Sequence, residues 1–390
     1  MALVVALTAR RAHADCHLDE TTKIIPLPVW ATTPNEGTTW GVMPVFVHVC
    51  PDDRRTMWVF APSVTWNSVI HLTGSLRFYD YVSPTRTLSV VAGASTRINY
   101  RVIGLWEDLP LTRHAWTDEA FVRVERDAFA RFFGLGFDSH ESGESSYTAV
   151  RELVTERRGL NIFGHVNAGL DLGFENDRVG AEGVKGLPLA PDVYPDVPGM
   201  HGSSTVIWQG LDLRYDDRDG RDYATSGLRL DAGLAVVEGL RGSPTFLRGT
   251  FEGRFIVREL SWLSGAARVA YMGMSAPSAP FYLQPSLGGS FLLRGFTEGR
   301  FYASQAWTAE VEQRVRALQT HMFGVVADWR IDPFVAVGQV FDDVGDIVAK
   351  PRIAAGVGLR AHVHPNLVGR VDLAAGGEGL KIYVEIGYPY

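Results

Sequence analysis

The sequence predicts an all-β fold, a transmembrane antiparallel β-barrel of about 16 strands, and three observations predict it. Stretches with period-two alternation follow one another from about Thr38 to the end of the chain. These stretches run for about 10–13 residues, longer than the usual 5–6 of a soluble sheet and suited to a tilted membrane span. Their polar faces combine Arg, Glu and Asp with small residues, as a wet lumen requires. A soluble sandwich also alternates, but strand length and charge favour the barrel.

Composition and charge bound the class of protein. The chain has 390 residues, of which 46% are hydrophobic and 21% charged, and its net charge of -7 gives no basic surface for nucleic acid. No run of about 18 apolar residues encodes a transmembrane helix, but barrel strands are too short to register in such a search. Cys16 and Cys50 are the two cysteines, and they form either one bridge or two free thiols.

The first residues, MALVVALTARRAHADC, resemble the end of a secretion signal. Ala2–Ala9 is a short apolar core, and Ala12–Ala14 fits a small-x-small cleavage site. We therefore predict a partial signal peptide at residues 1–14, with a frayed tail as the alternative. Residues 15–37 are then expected to form an N-terminal periplasmic extension, and the barrel is expected to occupy residues 38–390.

The strands are clearest towards the end of the chain. In Arg352–His364, Ile353, Val357 and other apolar residues fall on one face, whereas Arg360 and His362 fall on the other. The predicted strands are 38–49, 56–66, 70–80, 87–100, 119–133, 146–157, 161–174, 205–216, 226–238, 246–258, 262–272, 301–316, 321–341, 352–364, 367–374 and 380–390. The even number is typical of bacterial membrane barrels.

The parity of these strands indicates which side each connection faces. With the C-terminus in the periplasm, the long connections 175–204, 273–300 and 342–351 fall outside, and short turns fall in the periplasm, as barrels require. The connection 101–118 is the exception, because it becomes a long periplasmic turn. Missed strands in that stretch are the alternative.

The chain ends with KIYVEIGYPY, in which alternate residues are apolar or aromatic. Ile386, Tyr388 and Tyr390 lie on one face of the predicted last strand, and the final residue is aromatic. This combination resembles the C-terminal signal strand of bacterial outer-membrane barrels.

Neither a metal site nor an active site is predicted. Asp216, Arg218 and Asp219 lie in a stretch that partly resembles a calcium loop, but its Asp register fails and no Glu stands at position 12. We expect a periplasmic turn with salt bridges there. The pair His362 and His364 could share a metal, but no Cys or acidic pair stands nearby. No Gly-x-Ser-x-Gly, His-Glu-x-x-His or Gly-x-x-x-x-Gly-Lys motif occurs, so we expect no enzyme and no cofactor.

Five stretches carry a resemblance to one family. They are ARFFGLGFDS at Ala130–Ser139, YDDRDGRDYATSGLRL at Tyr215–Leu230, LRGF at Leu293–Phe296, EVEQR at Glu310–Arg314, and PFVAVGQVFDD at Pro333–Asp343. Each motif alone is weak, but five in the same order are specific. Together they resemble the BamA/TamA superfamily of outer-membrane barrels, the bacterial surface antigen family.

The resemblance implies a Gram-negative outer-membrane protein with a lateral seam between its first and last strands. Such barrels insert or translocate protein, usually with periplasmic POTRA domains that receive the substrate. Residues 15–37 are too few for such a domain, so a short form is implied, acting alone or with periplasmic accessory proteins. The implied partners are lipopolysaccharide, phospholipid and unfolded polypeptide clients, without nucleic acid, and we expect a monomer. A passive solute pore and a surface-antigen barrel without transport are the alternatives.

The resemblance also implies a site inside the barrel. The long loop that carries Leu293, Arg294, Gly295 and Phe296 folds into the lumen in this family, and its tip docks on acidic residues of the wall. An arginine confined there needs carboxylate partners, because an unpaired buried charge costs several kcal/mol. The alternative is a solvated loop arginine.

The acidic partners follow from the motifs, with one departure. Glu312 matches the family's Glu-x-Arg acid, and Glu310 lies on the same strand face. In the motif Phe334-x-Ala336-x-Gly338, however, alanine stands where the family has aspartate. We therefore expect a looser latch that rests on Glu312 and Glu310.

Overall fold

The computed structural model describes residues 21–50, 56–83, 85–110, 112–220, 224–322, 325–363 and 367–386. Within these residues, 18 strands form one antiparallel sheet in which neighbouring strands follow one another along the chain. The predicted signal peptide, Cys16, and the terminal Tyr388 and Tyr390 lie outside the described residues. Cys50 is disulfide-bonded.

The barrel strands have the following bounds. They are β1 Thr21–Thr33, β2 Gly37–Val49, β3 Thr56–Asn67, β4 His71–Ser83, β5 Arg86–Ser95, β6 Tyr100–Asp108, β7 Trp116–Phe132, β8 Ser145–Phe163, β9 Val166–Gly180, β10 Ser203–Asp216, β11 Gly227–Arg241, β12 Phe246–Leu260, β13 Leu263–Met274, β16 Gln305–Met322, β17 Val325–Phe341, β18 Arg352–Val363, β19 Leu367–Ala375 and β20 Leu380–Ile386. Between β13 and β16, β14 (Ser286–Leu287) and β15 (Phe301–Tyr302) form a separate two-stranded ladder. A short α-helix among the described residues, α1, spans Ala190–Val193.

The barrel is nearly closed. Residues of β1 and β20 come within 8 Å of each other, measured between Cα atoms. In the part of the chain that the structure describes, however, no ladder of paired residues joins these two strands. The line between β1 and β20 is called the seam below.

The connections divide between two rims. The connections 133–144, 181–202, 275–304, 342–351 and 376–379 lie at one end of the barrel, called the long-loop rim. The turns 109–115, 164–165, 217–226 and 261–262 lie at the opposite end, called the short-turn rim. This division follows from the alternation of antiparallel strands, and it is the pattern of membrane barrels.

The prediction of about 16 strands was wrong by two. The additional strands are β1, within the stretch expected as an extension before the barrel, and β6, within 101–118. Pro26 and Pro28 obscured β1, because proline within a run argues against a strand. In β6, Ile103 and Leu105 share a face with charged residues and blur the alternation. The first four predicted strands therefore run in the direction opposite to that expected.

The outer and inner faces of the barrel reverse the usual distribution of polarity. Leu211, Leu234 and Val311 on the outside each remain more than half exposed. Ionisable side chains on the inside, among them Glu312 and Arg360, are buried. An apolar outer band around a charged interior is the pattern of a sheet whose outside faces lipid.

No helix among the described residues is long and apolar enough to cross a membrane.

Candidate functional site

The connection 275–304, called the inner loop, folds back into the barrel. The Arg294 side chain at its tip has an exposed fraction of 0%. It meets Glu310 and Glu312, of which Glu312 is the eighth residue of β16, roughly 23 Å along the strand from the long-loop rim. A solvated loop arginine is therefore not what the structure contains.

Three carboxylates surround the Arg294 guanidinium. Its Nη2 donates to Glu310 Oε1 at 2.6 Å and to Glu312 Oε2 at 3.1 Å. Its Nη1 donates to Asp372 Oδ1 at 2.9 Å. The guanidinium also lies 3.5 Å from the ring centroid of Phe334, where the negative face of the ring attracts a cation. The arrangement uses the fork geometry that arginine offers and lysine lacks.

Other arginines of the wall balance the acidic charge. Arg314 Nε donates to Glu312 Oε1 at 3.0 Å, and Arg360 Nη2 donates to Asp372 Oδ1 at 2.7 Å. Arg360 lies 3.7 Å from Asp332 as well. Each of these side chains is buried, so the charges are compensated within a network rather than by water.

Gly295 brings the loop tip against the wall. A Cβ atom at this position would stand 2.7 Å from Ala354 Cβ and 2.7 Å from the backbone of Ala375 and Gly376. Those distances are far below van der Waals contact, so glycine is required by the close approach. The residue before Arg294, Leu293, has a φ of 58°, which is uncommon for a residue with a side chain.

Apolar contacts hold the rest of the tip. Leu293 and Phe296 are each 1% exposed and pack in a cluster that contains Ala336. The ring of Phe296 meets that of Phe301 edge to face, with 5.2 Å between their centroids. The hydroxyl of Tyr383 on β20 donates to the carbonyl of Phe296 at 2.6 Å. The loop is thereby tied to the strand that borders the seam.

The strand motif lies beneath the tip, but its three residues differ in role. Phe334 faces the Arg294 guanidinium, whereas Gly338 lies under Leu287, with a Cβ position 3.2 Å from its Cδ1. Ala336 stands directly opposite Glu310 in the β16–β17 ladder. An aspartate at 336 would place a second carboxylate beside Glu310, so an alanine suits the apolar cluster here.

Sequence reasoning missed Asp372, which supplies the third carboxylate from β19. The available signal was the alternation in RVDL, which places Arg370 and Asp372 on the inner face. Arg370 Nη1 donates to the carbonyl of Ser290 at 3.1 Å, so this strand also holds the loop backbone. The latch therefore rests on more than Glu312 and Glu310.

A second arginine fixes the inner loop at the long-loop rim. Arg300 Nε donates to Glu378 Oε1 at 2.8 Å, in the turn between β19 and β20. Its Nη1 and Nη2 donate to Oγ and O of Ser139, each at 2.8 Å. The cation also stacks near the rings of Phe133 and Phe301. Three connections of this rim are thereby joined through one side chain.

The remaining predicted residues, Asp216, Arg218 and Asp219, lie at the end of β10 and in the turn that follows it. Arg218 donates to Asp216 at 2.8 Å, and the backbone N–H of Thr225 donates to Asp219 at 2.7 Å. Burial alone would raise the pKa of Asp219, but hydrogen bonds from Thr225 and Ser226 outweigh it and lower the pKa to about 2. Within the described ranges, no group of three His, Cys, Asp or Glu side chains could hold a metal ion.

Comparison with known proteins identifies the fold. No protein-family model and no curated protein matches the chain. The crystal structure of BamA from Haemophilus ducreyi lacking POTRA domains 1–3 is similar, with a TM-score of 0.56 and 13% identity over 99% of this chain and 77% of that one. CdiB from Acinetobacter baumannii and CdiB from Escherichia coli each have a TM-score of 0.46 and 11% identity. The match covers 94% and 96% of this chain.

The chain spans 59% of the first CdiB structure and 62% of the second, less than two thirds of either. The similarity to BamA extends over nearly the whole chain and agrees with the resemblance that the sequence motifs carry. At this identity it establishes a BamA-like barrel fold.

Proposed function

We propose that this protein is a bacterial outer-membrane barrel that inserts or moves polypeptide through the seam between β1 and β20. The apolar outer face supports a location in lipid, and the BamA-like fold supports the outer membrane of a Gram-negative bacterium. Lipopolysaccharide and phospholipid then contact the outside, and an unfolded polypeptide is the client. The protein acts as a monomer.

The observation that carries the proposal is the seam itself. In the described strands, β1 and β20 lie side by side without a ladder. Unpaired backbone groups at a sheet edge are costly in hydrocarbon, so closed barrels normally remove their edges. An unladdered contact can open at lower cost than a paired one, and the exposed edges can pair with an incoming segment.

The inner loop supports a gated barrel over a passive pore. Its tip is fully buried, and its contacts reach β13, β16, β19 and β20 through Arg268, Glu310, Arg370 and Tyr383. A passive pore for solutes needs a permanently open lumen. We propose that the loop keeps the lumen closed while the seam works.

Reconstitution into phospholipid vesicles tests the function. A urea-unfolded eight-stranded barrel is added to vesicles with and without the protein, and protease-resistant client is measured over time. We expect a several-fold higher insertion rate with the protein. Equal rates with empty vesicles would remove the insertase function.

A matched pair of variants separates the inner loop from general damage. Arg294→Ala removes the buried latch, and Arg86→Ala removes an arginine of an exposed ion pair with Asp108. In planar bilayers, Arg294→Ala should produce frequent channel openings, whereas Arg86→Ala should behave as the unmodified protein. Steady conductance that Arg294→Ala leaves unchanged would indicate a passive pore. Silence in both assays would indicate a surface-antigen barrel without transport.

A further inference from the structure

A row of prolines crosses the strands beside the seam. Pro26 of β1 stands opposite Pro44 of β2, and the β2–β3 register places Pro44 opposite Pro62 of β3. Pro28 lies two residues further along β1. Of the five prolines in the described barrel strands, these are four, and the fifth is Pro333 of β17.

The ladders reveal which way each proline nitrogen points. The pairing of β2 with β3 breaks off after Val42 opposite Val64 and resumes at Phe46 opposite Phe60. Such a gap arises when Pro44 and Pro62 occupy a position at which both residues should donate, because neither has an N–H. The nitrogen of Pro44 therefore points towards β3.

The orientation of Pro26 follows from that of Pro44. In an antiparallel pair, residues that face away from their partner alternate with residues that face it. Since Pro44 points towards β3, the Pro26–Pro44 pair is one without mutual hydrogen bonds, and Pro26 points away from β2. The unbroken β1–β2 ladder through both prolines agrees. Pro26 and Pro28 thus point their nitrogens at the seam.

The seam edge of β1 consequently lacks two successive donors. A strand that added to this edge would leave two of its carbonyl groups without a partner in the middle of the barrel wall. In hydrocarbon no water replaces those hydrogen bonds. Proline at an edge is also a known way in which sheets prevent unwanted pairing.

The other side of the seam is different. No proline lies in the described part of β20, residues 380–386, so each seam-facing residue there keeps its N–H. Leu380 is 65% exposed on the outer face, and Ile382 and Val384 share that face with it. The inner Tyr383 ties the strand to the inner loop. Within residues 380–386, the β20 edge therefore lacks no donor, and the strand is anchored to the inner loop.

We propose that an incoming polypeptide strand pairs with the edge of β20 and that the prolines of β1 exclude pairing on the opposite side. The inference rests on the proposed function, and it adds which of the two strand edges at the seam pairs with the client. The partner is an extended segment with alternating apolar residues, because it must continue the outer apolar face of β20.

Photo-crosslinking tests this assignment. Benzoylphenylalanine is placed at position 24 or at position 382, on the outer face of β1 or of β20, in the full chain in phospholipid vesicles. The probe is the urea-unfolded eight-stranded barrel, and both insertion and client adducts are measured. We expect about tenfold more adduct from position 382 than from position 24, because two hydrogen bonds are missing at the β1 edge.

Two double variants test the role of the prolines. Pro26→Thr with Pro28→Thr restores the seam-facing donors and should raise the adduct from position 24 several-fold. Pro44→Thr with Pro62→Thr restores donors inside the β2–β3 ladder and should leave the partition unchanged. An unchanged partition in the first double variant would overturn the role of the prolines.

The outcomes distinguish the inference from the function on which it rests. Insertion with equal adducts from both positions, with most adduct from position 24, or with none from either would overturn the pairing with β20 but leave insertion standing. Absence of both insertion and adducts would remove the proposed function, and the inference with it.

Discussion

The wall formed by β16–β19 and the wall formed by β1–β3 flank the seam at a short distance on either side, yet their inner faces differ. The first carries Glu310, Glu312 and Asp372, which hold Arg294. The second carries an apolar cluster that includes Met43 and Val45, and its ladder is interrupted by prolines. Buried ion pairs stabilise the β16–β19 wall, whereas the β1–β3 wall lacks backbone hydrogen bonds at its prolines.

The difference indicates how one barrel can combine a firmly held inner loop with a seam that opens at low cost. Because the inner loop is tied to β16, β19 and β20, opening the seam on that side would disturb the ion-pair network. On the other side, the β1–β2 turn meets the loop through a hydrogen bond of 3.3 Å from Asn35 to the Glu298 carbonyl, and the gap in the β2–β3 ladder leaves fewer hydrogen bonds to break. We therefore expect the β1 flank to move when the seam opens, while the β20 flank stays with the loop.

The largest effect is expected from removing the latch. Arg294→Ala leaves Glu310 buried without its donor, while Glu312 and Asp372 keep Arg314 and Arg360, so the loss should be about 3 kcal/mol in the free energy of unfolding. Urea unfolding followed by tryptophan fluorescence measures it. Adding Glu310→Gln should recover about 1–2 kcal/mol, because the uncompensated charge is gone.

If Glu310→Gln does not restore any of the lost free energy of unfolding, another group compensates the charge of Glu310. The two walls would then not differ through the ion pairs of Arg294.

A smaller loss is expected from crowding the loop tip. Gly295→Ala places a Cβ 2.7 Å from the Ala354 Cβ and the β19 backbone, and we expect a cost of about 1–3 kcal/mol. Gly249→Ala on β12 is the control, because no atom lies within 4 Å of its Cβ position. Equal unfolding midpoints for the two variants would show that the tip can lift from the wall without cost.

Substitutions in the β1–β3 wall should stabilise the barrel, whereas those at the inner loop destabilise it. Pro44→Thr with Pro62→Thr supplies two donors to the gap in the β2–β3 ladder and should stabilise the barrel by about 1–2 kcal/mol. Hydrogen exchange of the amides of Met43 and Val45, on either side of position 44, should slow at the same time. Exchange as fast as before would mean that the prolines do not cause the gap.

Asp219 lies outside both walls, and its contribution to the free energy of unfolding provides a reference for an exposed polar contact. Asp219 has a folded-state pKa of about 2, below its unfolded value of about 3.9, so it stabilises the turn above pH 4 and loses this contribution as the pH falls towards 2. Asp219→Asn should therefore cost less than about 1 kcal/mol at pH 7 because the turn is exposed. The unfolding free energies of the two proteins, measured from pH 7 to pH 2, should converge at the acidic end; a constant difference would contradict this.

Much of the fold could be predicted because its signal is local. Alternation in Arg352–Val363 requires only neighbouring residues, and the inward arginine of the LRGF motif stands out in its own loop. β1 escaped prediction because Pro26 and Pro28 are tolerated only on an edge, and a sequence does not state which strand is an edge.

The candidate site was only partly predictable for a different reason. Glu310 and Glu312 follow Arg294 closely in the chain, whereas Asp372 lies 78 residues beyond it and meets it only through the register of four strands. Register depends on the closed barrel, not on any local pattern. Alanine at position 336 suggests that a carboxylate is missing, but Asp372 of β19 supplies that carboxylate.

The distance along the chain between the loop and its partners has a consequence for how the protein assembles. Arg294 and Arg300 are synthesised well before Asp372 and Glu378, which lie 78 residues later and belong to the last hairpin. The contacts of the inner loop with Asp372 and Glu378 cannot form until that hairpin is in place, so we expect the loop to reach its final position late in folding.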